Sequence, residues 1–237
     1  MSNRPTMSLE STSPLQRIRV WDLPTRTFHW LLTLAVVASV VTGQIGGNAM
    51  VWHLRIGLLV LALLAFRLVW GLVGGHWSRF ANFFYGPRSW LAYWRGESGP
   101  DGRYDIGHSP LAAPSVWAML VLVAVQVGTG LIADDEVATT GPLNRFAAAG
   151  TVLTASWWHS GPGKTLLIVL LLLHVAAVLY YLLRRRRNLI GPMWHGDQAL
   201  PPGAIASRDS AATRLLALAI AVASAALAWW VWRLGAP

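Results

Sequence analysis

Seven histidines stand in this chain of 237 residues: His29, His53, His76, His108, His159, His174 and His195. A neutral imidazole offers a ring nitrogen to iron and other transition metals. Inside an apolar segment such a group is rare enough to be read as functional. Four of the seven, His29, His53, His159 and His174, fall within or at the ends of long apolar runs. His159 and His174 are fifteen residues apart, roughly 22 Å along a helix axis, so they mark two levels of one bundle. With successive helices running in opposite directions, His29 comes level with His174 and His53 level with His159. Two imidazole pairs at two depths amount to two six-coordinate haem sites, one above the other. With both axial positions taken, iron keeps no open site, which favours electron transfer over oxygen binding.

The elements that must carry these pairs are membrane spans. Hydrophobic residues make up 54% of the chain and charged residues only 12%, about half the usual share in a soluble domain. Mean hydropathy is +0.46. Apolar windows of the length that crosses a hydrocarbon core predict five helices: Phe28 to Gly46, Val51 to Val73, Ser115 to Ala133, Lys164 to Leu183, and Arg214 to Trp232. A short polar turn joins the first two. A long loop from Gly74 to Pro114, a medium loop from Asp134 to Gly163, and a linker from Arg184 to Thr213 join the rest. The first twenty residues hold no continuous apolar region of the secretory type, so the first helix is expected to act as its own insertion signal.

Net charge is +9, nearly all of it arginine, since Lys164 is the one lysine. The arginines border apolar segments, which is the positive-inside pattern and not a nucleic-acid surface. Arg17, Arg19 and Arg26, then Arg79, Arg88, Arg95 and Arg103, then the run Arg184 to Arg187 alternate with an uncharged turn and with a loop bearing Asp134, Asp135 and Glu136 and only one arginine, Arg145. This places the N-terminus in the cytoplasm, and the run of four arginines reads as a stop-transfer signal. Trp21, Trp30, Trp52, Trp70, Trp157, Trp158, Trp229 and Trp230 lie near helix ends, as interfacial aromatics do.

Absence of cysteine removes disulfides, iron–sulfur ligation and covalent c-type haem, so any haem is held non-covalently. The fifteen-residue spacing overshoots one helix face by about 60°, and His159 is followed by Ser160-Gly161-Pro162-Gly163, so an irregular lead-in to the fourth helix is expected there. His76, His108 and His195 read as solvated or locally bonded loop histidines, although His108 leads directly into the third helix. Arg67 lies fourteen residues after His53 on nearly the same face, level with the His29/His174 pair. It is placed either to pair with a haem propionate or to snorkel to the headgroups.

The stretch from Arg19 through Trp21-Asp22-Leu23-Pro24-Thr25-Arg26 to His29-Trp30 resembles the opening of the prokaryotic cytochrome b561 family, which includes the cytochrome b subunits of nickel–iron hydrogenases. So do His53-Leu54-Arg55-Ile56-Gly57 with Arg67, Trp70, Gly71, Arg79 and Phe80, then Gly107-His108-Ser109-Pro110-Leu111, and Leu173-His174-Val175 to Tyr180 with its tail Asn188 to Met193. The resemblance covers roughly residues 17 to 197. Where the family has His-Glu fourteen residues before the last ligand, this chain has His159-Ser160 at fifteen.

The resemblance implies an all-α integral membrane fold: a four-helix transmembrane bundle holding two haem b groups on His29, His53, His159 and His174. The corresponding division is a cytoplasmic tail (1–18), the haem domain (19–197), and a linker with a fifth transmembrane helix (198–237) that lies outside the resemblance. It further implies electron transfer in the bacterial inner membrane between quinone and a redox partner, either a dehydrogenase subunit or a c-type cytochrome. A self-contained oxidoreductase acting on superoxide or ferric iron is the alternative. A histidine-dependent metal or proton transporter is disfavoured because the expected spans contain no acidic residue.

Overall fold

The computed structural model describes residues 14–99, 102, 104 and 106–235, and five of its helical segments are long and apolar enough to cross a membrane. Most of the N-terminal tail, and Arg103, lie outside the described residues. A short strand β1 (Gln16–Arg19) leads into α1 (Leu23–Ile45), and α2 (Met50–Val73) returns beside it. An eight-residue helix α3 (Pro87–Trp94) lies in the following loop, then α4 (Ala113–Gly130) crosses again. The way back is divided between α5 (Ala149–Ser160) and α6 (Pro162–Leu183). After α7 (Ile190–His195) and β2 (Asp197–Leu200), α8 (Ala211–Gly235) makes the last crossing. We call the end of the bundle where the chain enters α1 the near face, and the opposite end the far face.

Local chemistry sets the ends of these helices. Asp22 caps α1, its Oδ1 accepting from the Thr25 backbone N–H at 2.8 Å, with Pro24 in the first turn. The chain therefore turns helical five residues earlier than the apolar window suggested, because the polar opening turn is capped. Gly46 and Gly47, at φ 66° and 53°, make the reversal into α2, a backbone region that costs glycine little. Pro162 opens α6, where its missing N–H is no loss.

The core runs along α2. Phe28, Ala35 and Val36 of α1, Val60, Leu63, Leu64, Phe66 and Trp70 of α2, Val123 of α4, Leu167 of α6 and Ala217 of α8 form one buried cluster. The fifth span packs on α2. By contrast α6 buries only Gly163 and Leu167, and it barely touches α1. Leu172 and Leu173 are 65% and 60% exposed, as suits a lipid-facing surface.

Several loop readings are corrected. The segment from Asp134 to Gly163 is not all loop: its second half is α5. The linker after α6 contains β2, which pairs antiparallel with β1 (Arg19 opposite Asp197, Gln16 opposite Leu200). Ser207 then seals the near face, its Oγ donating to the Val20 carbonyl at 2.7 Å while the Trp77 indole donates to the Ile205 carbonyl at 2.7 Å. Trp21 and Trp70 are not interfacial either. They are 6% and 0% exposed, inside the protein.

Candidate haem-binding sites

His53 stands in the first turn of α2 at the far face, and its Nδ1 lies 2.9 Å from the Ser39 carbonyl of α1. His159, in the last turn of α5, sets its Nδ1 2.8 Å from the Gln126 carbonyl of α4. In both cases the residue one turn beyond the accepting carbonyl is glycine. A Cβ on Gly43 would come within 3.1 Å of the His53 Nδ1, and one on Gly130 within 2.7 Å of the His159 Cε1. Each imidazole thus docks on a helix carbonyl beside a glycine, closely at Gly43 and more tightly at Gly130, where a Cβ would force the ring to shift. Donating Nδ1–H to a backbone carbonyl fixes the ring and leaves the Nε2 lone pair free, which is how ligating histidines are usually held.

The two rings face each other with centroids 5.8 Å apart and planes at 83°. Two imidazoles sharing one metal at about 2.0 Å per N–metal bond have ring centres about 6 Å apart. Gln126 works twice here. Besides accepting from the ring, its Nε2 donates at 3.1 Å to the His159 backbone carbonyl, which the end of α5 leaves without a helical partner. The expected irregular lead-in is therefore corrected. His159 closes a regular helix, and the break falls after it at Gly161 (φ −112°, ψ −102°), so the fifteen-residue count runs across two helices. With the ring against Gly130, Gly130→Val is expected to displace His159, read as a lowered haem content in the pyridine haemochrome assay.

At the near face, His29 lies in the second turn of α1 and His174 in α6, close enough to act on each other electrostatically. The Nδ1 of His29 is enclosed and has no hydrogen-bond partner. Arg67 is 4% exposed, so it does not snorkel. Its guanidinium donates to the Ser78 carbonyl at 2.9 Å and lies 4.6 Å from the Phe80 ring centre and 5.9 Å from that of Phe28.

Behind Arg67 sits Asp22, fully buried. Its carboxylate accepts from the Thr25 and Gly75 backbone N–H groups, the Trp70 indole and the Ser78 hydroxyl, at 2.8, 3.1, 3.2 and 2.7 Å. His108 is also placed differently from a solvated loop residue. It is wedged between Trp21 and Phe83, ring centroids 4.8 and 4.6 Å away, and burial, with the Arg67 charge adding, pushes it down to about 3. The remaining two histidines stay in near-face loops: His76 against Trp77, and His195 at the end of α7, its Nδ1 accepting from the Asp197 N–H.

Among the described residues no three of His, Cys, Asp or Glu gather into a site for a bare metal ion. What the chain offers is pairs. Residues 20–196 match the family model described as prokaryotic cytochrome b561. The chain belongs to the prokaryotic cytochrome b561 family. It is also similar to two curated proteins. A probable Ni/Fe-hydrogenase 1 B-type cytochrome subunit of Escherichia coli K12 is 24% identical over 143 residues, 49% of this chain and 60% of that protein. A probable Ni/Fe-hydrogenase B-type cytochrome subunit of Rhodobacter capsulatus is 26% identical over 139 residues, 48% of this chain and 53% of that protein. The matches thus span little more than half the length of these relatives.

This b561 chain is accordingly a multi-pass membrane electron-transfer cytochrome, and its family carries haem b. The residues present fit that group. The far-face pair has its ring centroids 5.8 Å apart, close to the separation of two imidazoles on one metal, and each Nδ1 is taken up by a backbone carbonyl. Beside it Gly57, one turn after His53, has nothing within 4 Å of where a Cβ would be. The near-face pair sits on two helices, α1 and α6, that scarcely pack on each other. Sequence reasoning missed Gly43, Gly130, Ser39 and Gln126. The signal available for the glycines was their position inside apolar helices, where glycine is costly and calls for a packing reason.

Proposed function

We propose that this cytochrome holds two haem b groups, one ligated by His29 and His174 near the cytoplasmic surface and one by His53 and His159 near the outer surface. Together they carry electrons between the quinone pool and a redox partner of the respiratory chain. Each group, when bound, would supply reversible one-electron redox chemistry. The observation that carries the reading is the far-face pair: two imidazoles 5.8 Å apart, each with Nδ1 anchored to a backbone carbonyl. By donating to those carbonyls, the side chains raise the basicity of Nε2 and hold both rings against rotation. With an imidazole from each side chain on the iron, the pair would leave no site open to oxygen. Arg67 is proposed to balance propionate charge at the inner level.

Arginine placement supports the orientation and the inner membrane as location. Arg19, Arg26, Arg79, Arg88, Arg95 and the run after α6 all lie at the near face, whereas the far-face hairpin carries Asp134, Asp135 and Glu136. The names of the hydrogenase cytochrome subunits favour a dehydrogenase partner over independent action. In proteoliposomes, quinol is expected to reduce both haems without any further protein. Purified cytochrome mixed with superoxide or ferric chelate alone is expected to turn over slowly. Rapid catalytic turnover in that mixture would instead make the protein a stand-alone oxidoreductase.

A further inference from the structure

We propose that His108 and Trp117, backed by Arg67, form the seat for the propionate carboxylates of the haem between His29 and His174. The proposal rests on the ligation of that haem argued above and adds two residues that hold its other end.

Both side chains carry an enclosed ring nitrogen with no hydrogen-bond partner, Nδ1 in His108 and Nε1 in Trp117. Buried donors are seldom left unpaired in folded proteins, and an orphan in a native fold usually marks a partner that is not protein. The two lie on one aromatic patch. Phe83 has its ring centroid 4.6 Å from that of His108 and 5.6 Å from that of Trp117, while Phe80 lies 4.8 Å from Trp117. The patch is firm: the Tyr85 hydroxyl holds the His108 carbonyl at 3.0 Å. It is also at the level of His29, since Arg67 lies 4.6 Å from the Phe80 ring centre and 5.9 Å from that of Phe28, the residue before His29.

The charge on this patch selects an anion. Arg67 is buried over Phe80, and among the described residues no carboxylate forms an ion pair with it. The neighbouring Asp22 carboxylate is already saturated by four donors. A propionate brings a negative charge for the guanidinium and enough lone pairs to take both ring N–H groups. A quinone carbonyl is an acceptor too, but it is neutral and brings no charge to pair with the guanidinium. In this seat His108 carries a proton on Nδ1, the atom that has no protein partner.

The test uses His108→Phe and Trp117→Phe in the full-length cytochrome, each keeping an aromatic ring and deleting one N–H. Redox-induced infrared difference spectra, recorded with haem 13C-labelled at the propionate carboxyls, are expected to show the labelled bands shifted in both variants. Those N–H groups offset propionate charge that otherwise favours ferric iron. The reduced-to-oxidised ratio of that haem at fixed ambient potential is therefore expected to fall about tenfold in each variant. The other haem should keep its potential and spectrum, which also reports that the bundle is intact. Unchanged labelled bands and unchanged potentials would overturn the proposal. So would a raised quinol KM with the propionate bands untouched, which would give these donors to quinone. Wild-type protein lacking the His29/His174 haem altogether would remove the underlying ligation, a failure visible in the haem count before any variant is made.

Discussion

His53→Ala and His159→Ala are expected to yield the same protein, a cytochrome with one b haem in place of two, and the double variant should lose nothing more. In the proposed ligation the two rings would serve one iron, so removing either would break the same pair and their effects would not add. The surviving haem should keep its spectrum and potential, since His29 and His174 lie on other helix segments at another depth. A matched result is expected at the near face, where His29→Ala and His174→Ala should each delete the other haem. Pyridine haemochrome quantification with low-temperature spectra of the α band reads both outcomes. A His159→Ala protein that retained two haems would take His159 out of the ligand set.

Asp22→Ala is expected to destabilise the folded protein by about 3–5 kcal/mol. Four donors point at this buried carboxylate, and water cannot reach them once it is gone. The Thr25 N–H also loses its helix cap, worth about 1 kcal/mol by itself. Two of the four have a fallback, since the Trp70 indole and the Ser78 hydroxyl also reach the Thr25 hydroxyl, at 3.2 and 2.6 Å. The Gly75 N–H has none. Asp22→Asn should cost less, because the amide oxygen can still serve Thr25 and Trp70. Equilibrium unfolding in mixed detergent micelles, followed by tryptophan fluorescence, checks the order Ala below Asn below wild type. Equal midpoints for all three would show that the cluster does not pin α1 to α2.

What could be read in the chain was what the bilayer and the helix repeat dictate. Hydrocarbon demands long apolar runs, so the five spans stood out. The rise per residue put His29, His53 and His174 at definite depths. The missed features depend on contacts between distant residues. Segment 149–160 is rich in small and hydroxyl residues, and Gly161-Pro162-Gly163 looked like the end of a loop; it is the joint between two helices. Strands β1 and β2 pair across almost the whole chain and carry no local pattern. Trp70 looks interfacial until Asp22, forty-eight residues earlier, is seen to accept its indole proton.

The same cause reversed the apparent standing of His159. Counted along one helix its spacing misses the face of His174, but it belongs to α5, and Gln126 and Gly130 of α4 orient it. None of that is visible from the spacing.

Haem per polypeptide in the purified wild-type cytochrome, measured by pyridine haemochrome against quantitative amino-acid analysis, tests the two-pair arrangement most directly. Two b haems per chain are expected. A ratio of one in a fully loaded, spectrally homogeneous preparation would contradict it.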